Sequence, residues 1–361
     1  MDKKRITLYI ILLLVVGSIY YLEQSKVSPS EITSAPSNQA PLKDGQFPLA
    51  PELAGISGYF NTIDGLKLED LRGKVVLIDF WTYTCINCIR TLPHLVAWDE
   101  KYRDDGLVII GVHTPEFEFE KKQENVQMAL EKYGIEYPVV QDNSYATWNN
   151  FQNRYWPHKY LIDSEGYIRY HHIGEGAYAE TEENIQQLLM EINGLEDTSF
   201  TNVEDTTPSK QLTPELYAGY DFALPRGQDI GNPGGLRVGE INNYNLNLEI
   251  SHNLIYLQGL WKSNEDNLEA KGDSSIFLGF TAQSVNIVAD NFEDPVKIEI
   301  RLNGKYITKE QAGNDVKFLG EQSFIKVNEP RLYNVVNGEY GTFLLDLSVT
   351  EGFSFNAFTF G

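Results

Sequence analysis

The stretch KVVLIDFWTYTCINCIRTLP, residues 74–93, constrains this chain more than any other. Its first part, 74–81, is a continuous apolar run broken only by Asp79 and ending in turn-like residues, the pattern of a strand buried on both faces of a sheet. A helical pattern follows over 85–102, with Ile89, Leu92, Leu95, Val96 and Trp98 apolar. A buried strand that feeds a helix through a short turn is a building unit of α/β domains. The only two cysteines of the 361-residue chain, Cys85 and Cys88, stand at that turn.

The surrounding residues, 52–195, continue the alternation. LVIIGVH at 107–113 reads as a second buried strand, 121–133 as a helix ended by Gly134, 160–173 as a hairpin, and 180–193 as a closing helix ended by Gly194. The spacing predicts an α/β domain with a partly parallel sheet. Residues 196–211 have the polar, Thr/Ser-rich composition of a linker. From 212 to 361 short strand-like runs follow one another, and no helical pattern is legible after Tyr217. VKIEIRL alternates strictly over 296–302 and runs into Asn303-Gly304, a hairpin turn. This half is expected to be an all-β sandwich or jelly roll.

Lys3, Lys4 and Arg5 precede an uncharged apolar run at 6–22. As a helix it would reach about 25 Å, enough for a single transmembrane signal anchor over 1–22, with a cleaved signal peptide as the alternative. The positive flank would stay in the cytoplasm, leaving the rest of the chain extracytoplasmic at the cell membrane. Residues 23–51, rich in Ser, Pro, Gln and Lys, read as a flexible stalk. A net charge of −22 excludes a nucleic-acid partner. The scarcity of thiols suits an oxidising compartment.

The cysteine pair invites a redox reading. At the start of a helix, unpaired N–H groups and the helix dipole lower a thiol's pKa, so Cys85 is expected to be the attacking thiol and Cys88 the resolving one. Asp79, six residues before Cys85, would be desolvated in the strand, hold a raised pKa, and take a proton from Cys88. Pro93 should kink the helix. A cis bond between Trp156 and Pro157 would present backbone to an extended substrate. Trp81 is either core or substrate contact, and Glu116 either caps the following helix or tunes the site. Ile86 and Asn87, between the cysteines, and Tyr83 before them are candidates for setting the potential. A zinc site lacks ligands, since two cysteines would need His94 or His113 beside them. A purely structural disulfide would close too small a loop to stabilise much, and a peroxidase would want one activated cysteine with its own anion-binding partners. No metal is expected, and no cofactor beyond a Cys85–Cys88 disulfide. His171 and His172 are expected to face solvent. Trp261 and Tyr333 are read as sandwich packing, with glycan stacking as the alternative.

Taken together, DFW at 79–81, the Cys-x-x-Cys, Pro93 and the Pro157 loop resemble the thioredoxin fold in its membrane-tethered TlpA-like branch. FWTYTCINCIRTLP, GVHTPEFEFE, YPVVQDN, NRYWPHKYLID, HIGEGAY, LTPELYAGYD, RLYNVV and the terminal AFTFG, in that order, resemble the extracytoplasmic part of the DipZ-like proteins from about residue 51 to 361. The resemblance implies a thioredoxin-like domain followed by a β domain similar to carbohydrate-binding modules. It implies a thiol-disulfide oxidoreductase with Cys85 as nucleophile, Cys88 as resolving thiol, Asp79 as buried acid/base and Pro157 as substrate-loop proline. It also implies reduction of exported proteins, apocytochromes of cytochrome c biogenesis among them. DipZ-like proteins carry a multi-span electron-transfer domain ahead of this part, and here one anchor stands in its place. Reductant would therefore come from a separate CcdA-like membrane protein. A thiol oxidase or isomerase is the alternative direction. A surface glycan- or protein-binding module with a regulatory redox pair is the alternative class. Removal of the residues after about Leu212 is expected to spare thiol exchange.

Overall fold

A computed structural model describes residues 42–43, 45–246, 249–291 and 294–361. The expected anchor at 1–22 lies outside these residues. Among the described residues no helix is long and apolar enough to cross a membrane. The stalk expected to run to residue 51 ends earlier. Leu42–Lys43 pairs with Phe47–Pro48, Lys43 bridges Asp163 at 3.0 Å and Glu165 at 2.8 Å, and the Ala50 amide donates to Gly166 O at 2.9 Å.

The α/β domain is built on a six-stranded sheet. Its strands are β1 (Gly58–Phe60), β2 (Val75–Trp81), β3 (Leu107–His113), β4 (Val139–Gln141), β5 (His158–Ile162) and β6 (Ile168–Ile173), in the spatial order β1-β4-β3-β2-β5-β6. β2, β3 and β4 are parallel, and the other pairings are antiparallel. Helices α1 (Ile86–Tyr102), α2 (Gln123–Tyr133), α3 (Ala146–Asn150) and α4 (Tyr178–Asn193) accompany the sheet. β2 is buried along its whole length because both of its faces are covered. Val76, Ile78 and Phe80 pack with Trp148, Phe151 and Tyr160. Val75, Leu77 and Trp81 pack with Leu92, Leu95 and Trp98 of α1. Strand periodicity puts Asp79 on this second face, toward α1.

The C-terminal half forms an eleven-stranded antiparallel sheet system around its own core. Several runs that look separate in sequence fuse. SSIFLGFTA and VNIVA lie on one strand, Ser274–Asn291, and RLYNVV and GTFLLDL on another, Arg331–Val349. These two pair along their length with register shifts at 282/284 and 285/286. Such bulges let a strand continue through polar residues that would otherwise read as its end. A helical turn at Tyr220–Ala223, absent from the sequence expectation, is too short to show periodicity.

The two halves are not independent. Residues 42–361 make one compact unit. Val288, Leu332 and Ala357 of the C-terminal half join the cluster that holds Cys85, Cys88, Trp81 and Leu92. The linker is tied down as well. The Glu182 carboxylate accepts Trp98 Nε1 at 3.0 Å, Tyr102 Oη at 2.7 Å, and both the amide and the hydroxyl of Thr201 at 2.8 Å.

Candidate redox site

Cys85 is the N-cap of α1, and its Sγ accepts the Cys88 amide at 3.3 Å. That bond satisfies one of the donors left open at a helix start. Both cysteines are free thiols, buried at 8% and 1% exposure. The expected lowering of the Cys85 pKa is overturned. Burial pushes the Cys85 thiol up, Glu215 and Glu116 push it the same way, and the bonds from Cys88 only partly oppose them. A helix N-terminus favours a thiolate, but desolvation disfavours any charge, and the C-terminal half supplies that desolvation. Burial raises the Cys88 thiol further.

Asp79 is 1% exposed, and its Oδ1 has no hydrogen-bond partner among the described residues. Burial pushes its carboxyl up to about 7, partly opposed by Lys159. Lys159 sits opposite Asp79 in the β2–β5 register and is itself fully buried. Its Nζ donates to Gly174 O at 3.2 Å and lies 5.8 Å from the Tyr178 ring centroid. Burial lowers the lysine's pKa, while Asp79 and Cys88 raise it.

Pro93 lies inside α1, and the Trp156–Pro157 bond is cis. Pro157 O accepts the Gly174 amide at 2.8 Å, and the Trp156 indole donates to Thr114 O at 3.1 Å. Trp81 is fully buried, edge-on to His113 at 5.2 Å between ring centroids. Its place is core packing, and it offers no surface to a substrate. Ile86 and Asn87 line a cleft of about 350 Å³ together with Arg90, Glu175 and Glu215. Tyr83 is buried against the C-terminal half, and its hydroxyl donates to Pro330 O at 3.3 Å.

Glu116 caps no helix by its side chain. Its carboxylate accepts Tyr217 Oη at 2.8 Å, and burial with Glu215 and Glu120 nearby pushes it up to about 8. The capping role belongs to Glu120, which accepts the amides of Glu116 and Phe117 at 2.5 and 3.0 Å and the Thr84 hydroxyl at 2.5 Å. His171 is exposed and His172 half-buried. Trp261 and Tyr333 are fully buried in the C-terminal core, so neither is available as a glycan platform.

Sequence reasoning missed Lys159, Glu120 and Glu215. The signal for Lys159 was a charge in the apolar run HKYLI, but its pairing with Asp79 depends on a strand register that the sequence does not state. Chemically, the arrangement can exchange disulfides: two free thiols at a helix start, over a buried carboxyl that titrates near neutrality.

Residues 50–171 match the AhpC/TSA family, and 213–361 match the family described as thioredoxin like C-terminal domain. Protein DipZ of Mycobacterium tuberculosis is 42% identical over 245 residues, 66% of this chain and 34% of that protein. This chain thus spans about a third of that relative. The thiol-disulfide oxidoreductase YkuV of Bacillus subtilis is 28% identical over 39% of this chain and 94% of its own length. The solved structure of a thioredoxin-like superfamily protein covers 39% of this chain and 96% of itself, at 30% identity and a TM-score of 0.37.

Proposed function

We propose that the chain is a DipZ-like thiol-disulfide oxidoreductase that reduces disulfides of exported proteins outside the cytoplasmic membrane, a reading supported by its thioredoxin-like α/β domain, its β-rich C-terminal domain and its 42% identity with Protein DipZ. The observation that carries this reading is the placement of the two free thiols at the start of α1, where Cys85 Sγ accepts the Cys88 amide, with Asp79 buried on the adjoining strand face.

In the proposed cycle the Cys85 thiolate attacks one sulfur of the substrate disulfide. A Cys85–substrate bond forms as the substrate S–S bond breaks, and the departing thiolate takes up a proton. Asp79 takes the proton of Cys88, directly or through water, and Cys88 then attacks Sγ of Cys85. The second substrate thiol leaves, and a Cys85–Cys88 disulfide remains. Two electrons have passed to the substrate. A separate membrane protein of the CcdA-like kind returns the disulfide to the dithiol.

Burial of Cys85 supports the reductase direction. A couple whose thiolate is poorly stabilised favours its disulfide and gives up electrons readily, whereas strong oxidants stabilise the reduced form. An extended substrate would pair through Trp156, since Pro157 has no N–H and its carbonyl is engaged by Gly174. Extracytoplasmic placement rests on the charged flank and apolar run at residues 3–22. Apocytochromes are the substrate class to try first.

The test is Cys88→Ser in the full chain. It should trap mixed disulfides with exported proteins through Cys85, and the unmodified chain should reduce insulin. Absence of both adducts and insulin reduction rejects the reading.

A further inference from the structure

The redox site is completed by the second domain. Leu216–Tyr217 pairs with the terminal strand Phe353–Phe360, and this fixes Glu215 against the start of α1. Glu215 lines the same cleft as Ile86 and Asn87, the residues between the two cysteines. Across from it, the loop after β3 presents Glu116. The Tyr217 hydroxyl lies between them, 2.8 Å from Glu116 Oε1 and 3.2 Å from Glu215 Oε2.

One hydroxyl carries one proton, so it can donate to only one of the two carboxylates. A protonated partner can donate back to the phenolic oxygen, so one shared proton satisfies all three groups. Two carboxyl groups sharing one hydroxyl also repel double ionisation. The pair therefore holds one proton and one negative charge near neutral pH, and it titrates as a unit.

The neighbouring cations do not cancel that charge at Cys85. Arg90, one turn along α1, is held by Glu175 at 2.6 and 2.8 Å and by Asn87 Oδ1 at 2.8 Å. Arg226 lies 3.8 Å from Glu116 Oε1, but its guanidinium is over the Tyr217 ring, 4.4 Å from the centroid. Glu120 stands behind Glu116, bonded to backbone amides and Thr84. Asp79 and Lys159 act on Cys88 from below.

We propose that Glu215 of the C-terminal domain and Glu116 of the thioredoxin domain form an acidic pair, bridged by Tyr217, that keeps the Cys85–Cys88 couple reducing. The inference rests on the redox reading and deepens it. Negative charge beside Cys85 disfavours its thiolate, and the balance between dithiol and disulfide moves toward the disulfide. Oxidation removes two electrons and two protons from the pair of thiols, and the substrate disulfide accepts both. Glu116 and Glu215 are positioning residues: they set the field at Cys85 and transfer no group.

The test equilibrates the full chain with dithiothreitol buffers and counts free thiols by alkylation, a readout that needs no protein substrate. The double variant Glu116→Gln/Glu215→Gln, which leaves no carboxyl to hold the charge, should shift the equilibrium about tenfold toward the dithiol, an oxidising change of about 30 mV. In a Cys88→Ser background it should also move the midpoint of Cys85 alkylation to lower pH. Glu215→Gln alone, which leaves the charge on Glu116, should shift both less far in the same direction, and Glu215→Asp should stay near the parent values. The inference is overturned if the double variant and Glu215→Gln both melt cooperatively yet keep the parent potential and midpoint, or move them the other way. If either variant loses cooperative melting, the other decides by the same criteria. Absence of thiol exchange by the parent chain would sink the redox reading itself. Intact exchange with an unmoved potential would sink only the acidic pair.

Discussion

Asp79 and Lys159 stand directly opposite each other on antiparallel strands, and both are sealed from water. Burial alone would push the carboxyl higher still; the lysine holds it near 7. As a proton acceptor for Cys88, Asp79 works only when ionised, so release of the mixed disulfide should accelerate as pH rises through about 7 and then level off. Asp79→Asn should slow that release about 100-fold and abolish this limb of the profile. Lys159→Met should move the limb to higher pH. Single-turnover release of a mixed disulfide, followed from pH 5.5 to 9, reads all three.

Glu116 has a separate consequence for stability. Its carboxyl keeps a proton up to about 8 in the fold and, once unfolded, releases it near 4.5. The folded chain thus binds more protons across that window, so stability from this group is greatest at low pH and is lost as pH rises through it. Glu116→Gln removes the dependence. Relative to the parent, it should gain on the order of 3 kcal/mol between pH 5 and 9, measured by urea unfolding at each pH. A gap that stays constant with pH would contradict the protonated carboxyl.

Phe117 joins the domains through rings, 5.4 Å from Phe222 and 6.4 Å from Tyr217 between centroids, and is 2% exposed. Phe117→Ala should destabilise the chain by about 3–5 kcal/mol and speed alkylation of Cys85 by loosening the C-terminal half over it. Urea midpoints and alkylation rates, taken together, check both effects.

Glu182 binds the linker to α1 and α4. Glu182→Ala strands the donors of Trp98, Tyr102 and Thr201, each worth about 1–3 kcal/mol where water cannot replace the carboxylate. Limited proteolysis should then cut within 196–211 faster than in the parent. An unchanged cleavage rate would mean that other contacts hold the strap.

Much of the α/β half was legible because its elements are long and periodic. β2 and α1 declare themselves by apolar spacing, and Gly134 and Gly194 mark helix ends at left-handed backbone positions. Asp79 stood out as the one charge in an apolar strand. Lys159 was equally anomalous in HKYLI, but a register between strands far apart in sequence has no local signature. The pKa of Cys85 was read in the wrong direction because a helix start is a local feature, whereas burial by Val288, Leu332 and Ala357 is not. The long strands of the C-terminal half were divided too finely, since bulged strands carry polar residues where a regular one would not. Because the C-terminal half shares the core that holds both cysteines, removing everything after Leu212 should disturb thiol exchange.

The shared core also bears on protein engineering. A designer who transplants only the α/β half as a ready-made reducing cassette would carry along an apolar seat shaped for Val288, Leu332 and Ala357, now wet and adhesive. The graft would need new surface residues there, and its electron affinity would have to be tuned afresh. The practical unit of exchange is the pair of domains.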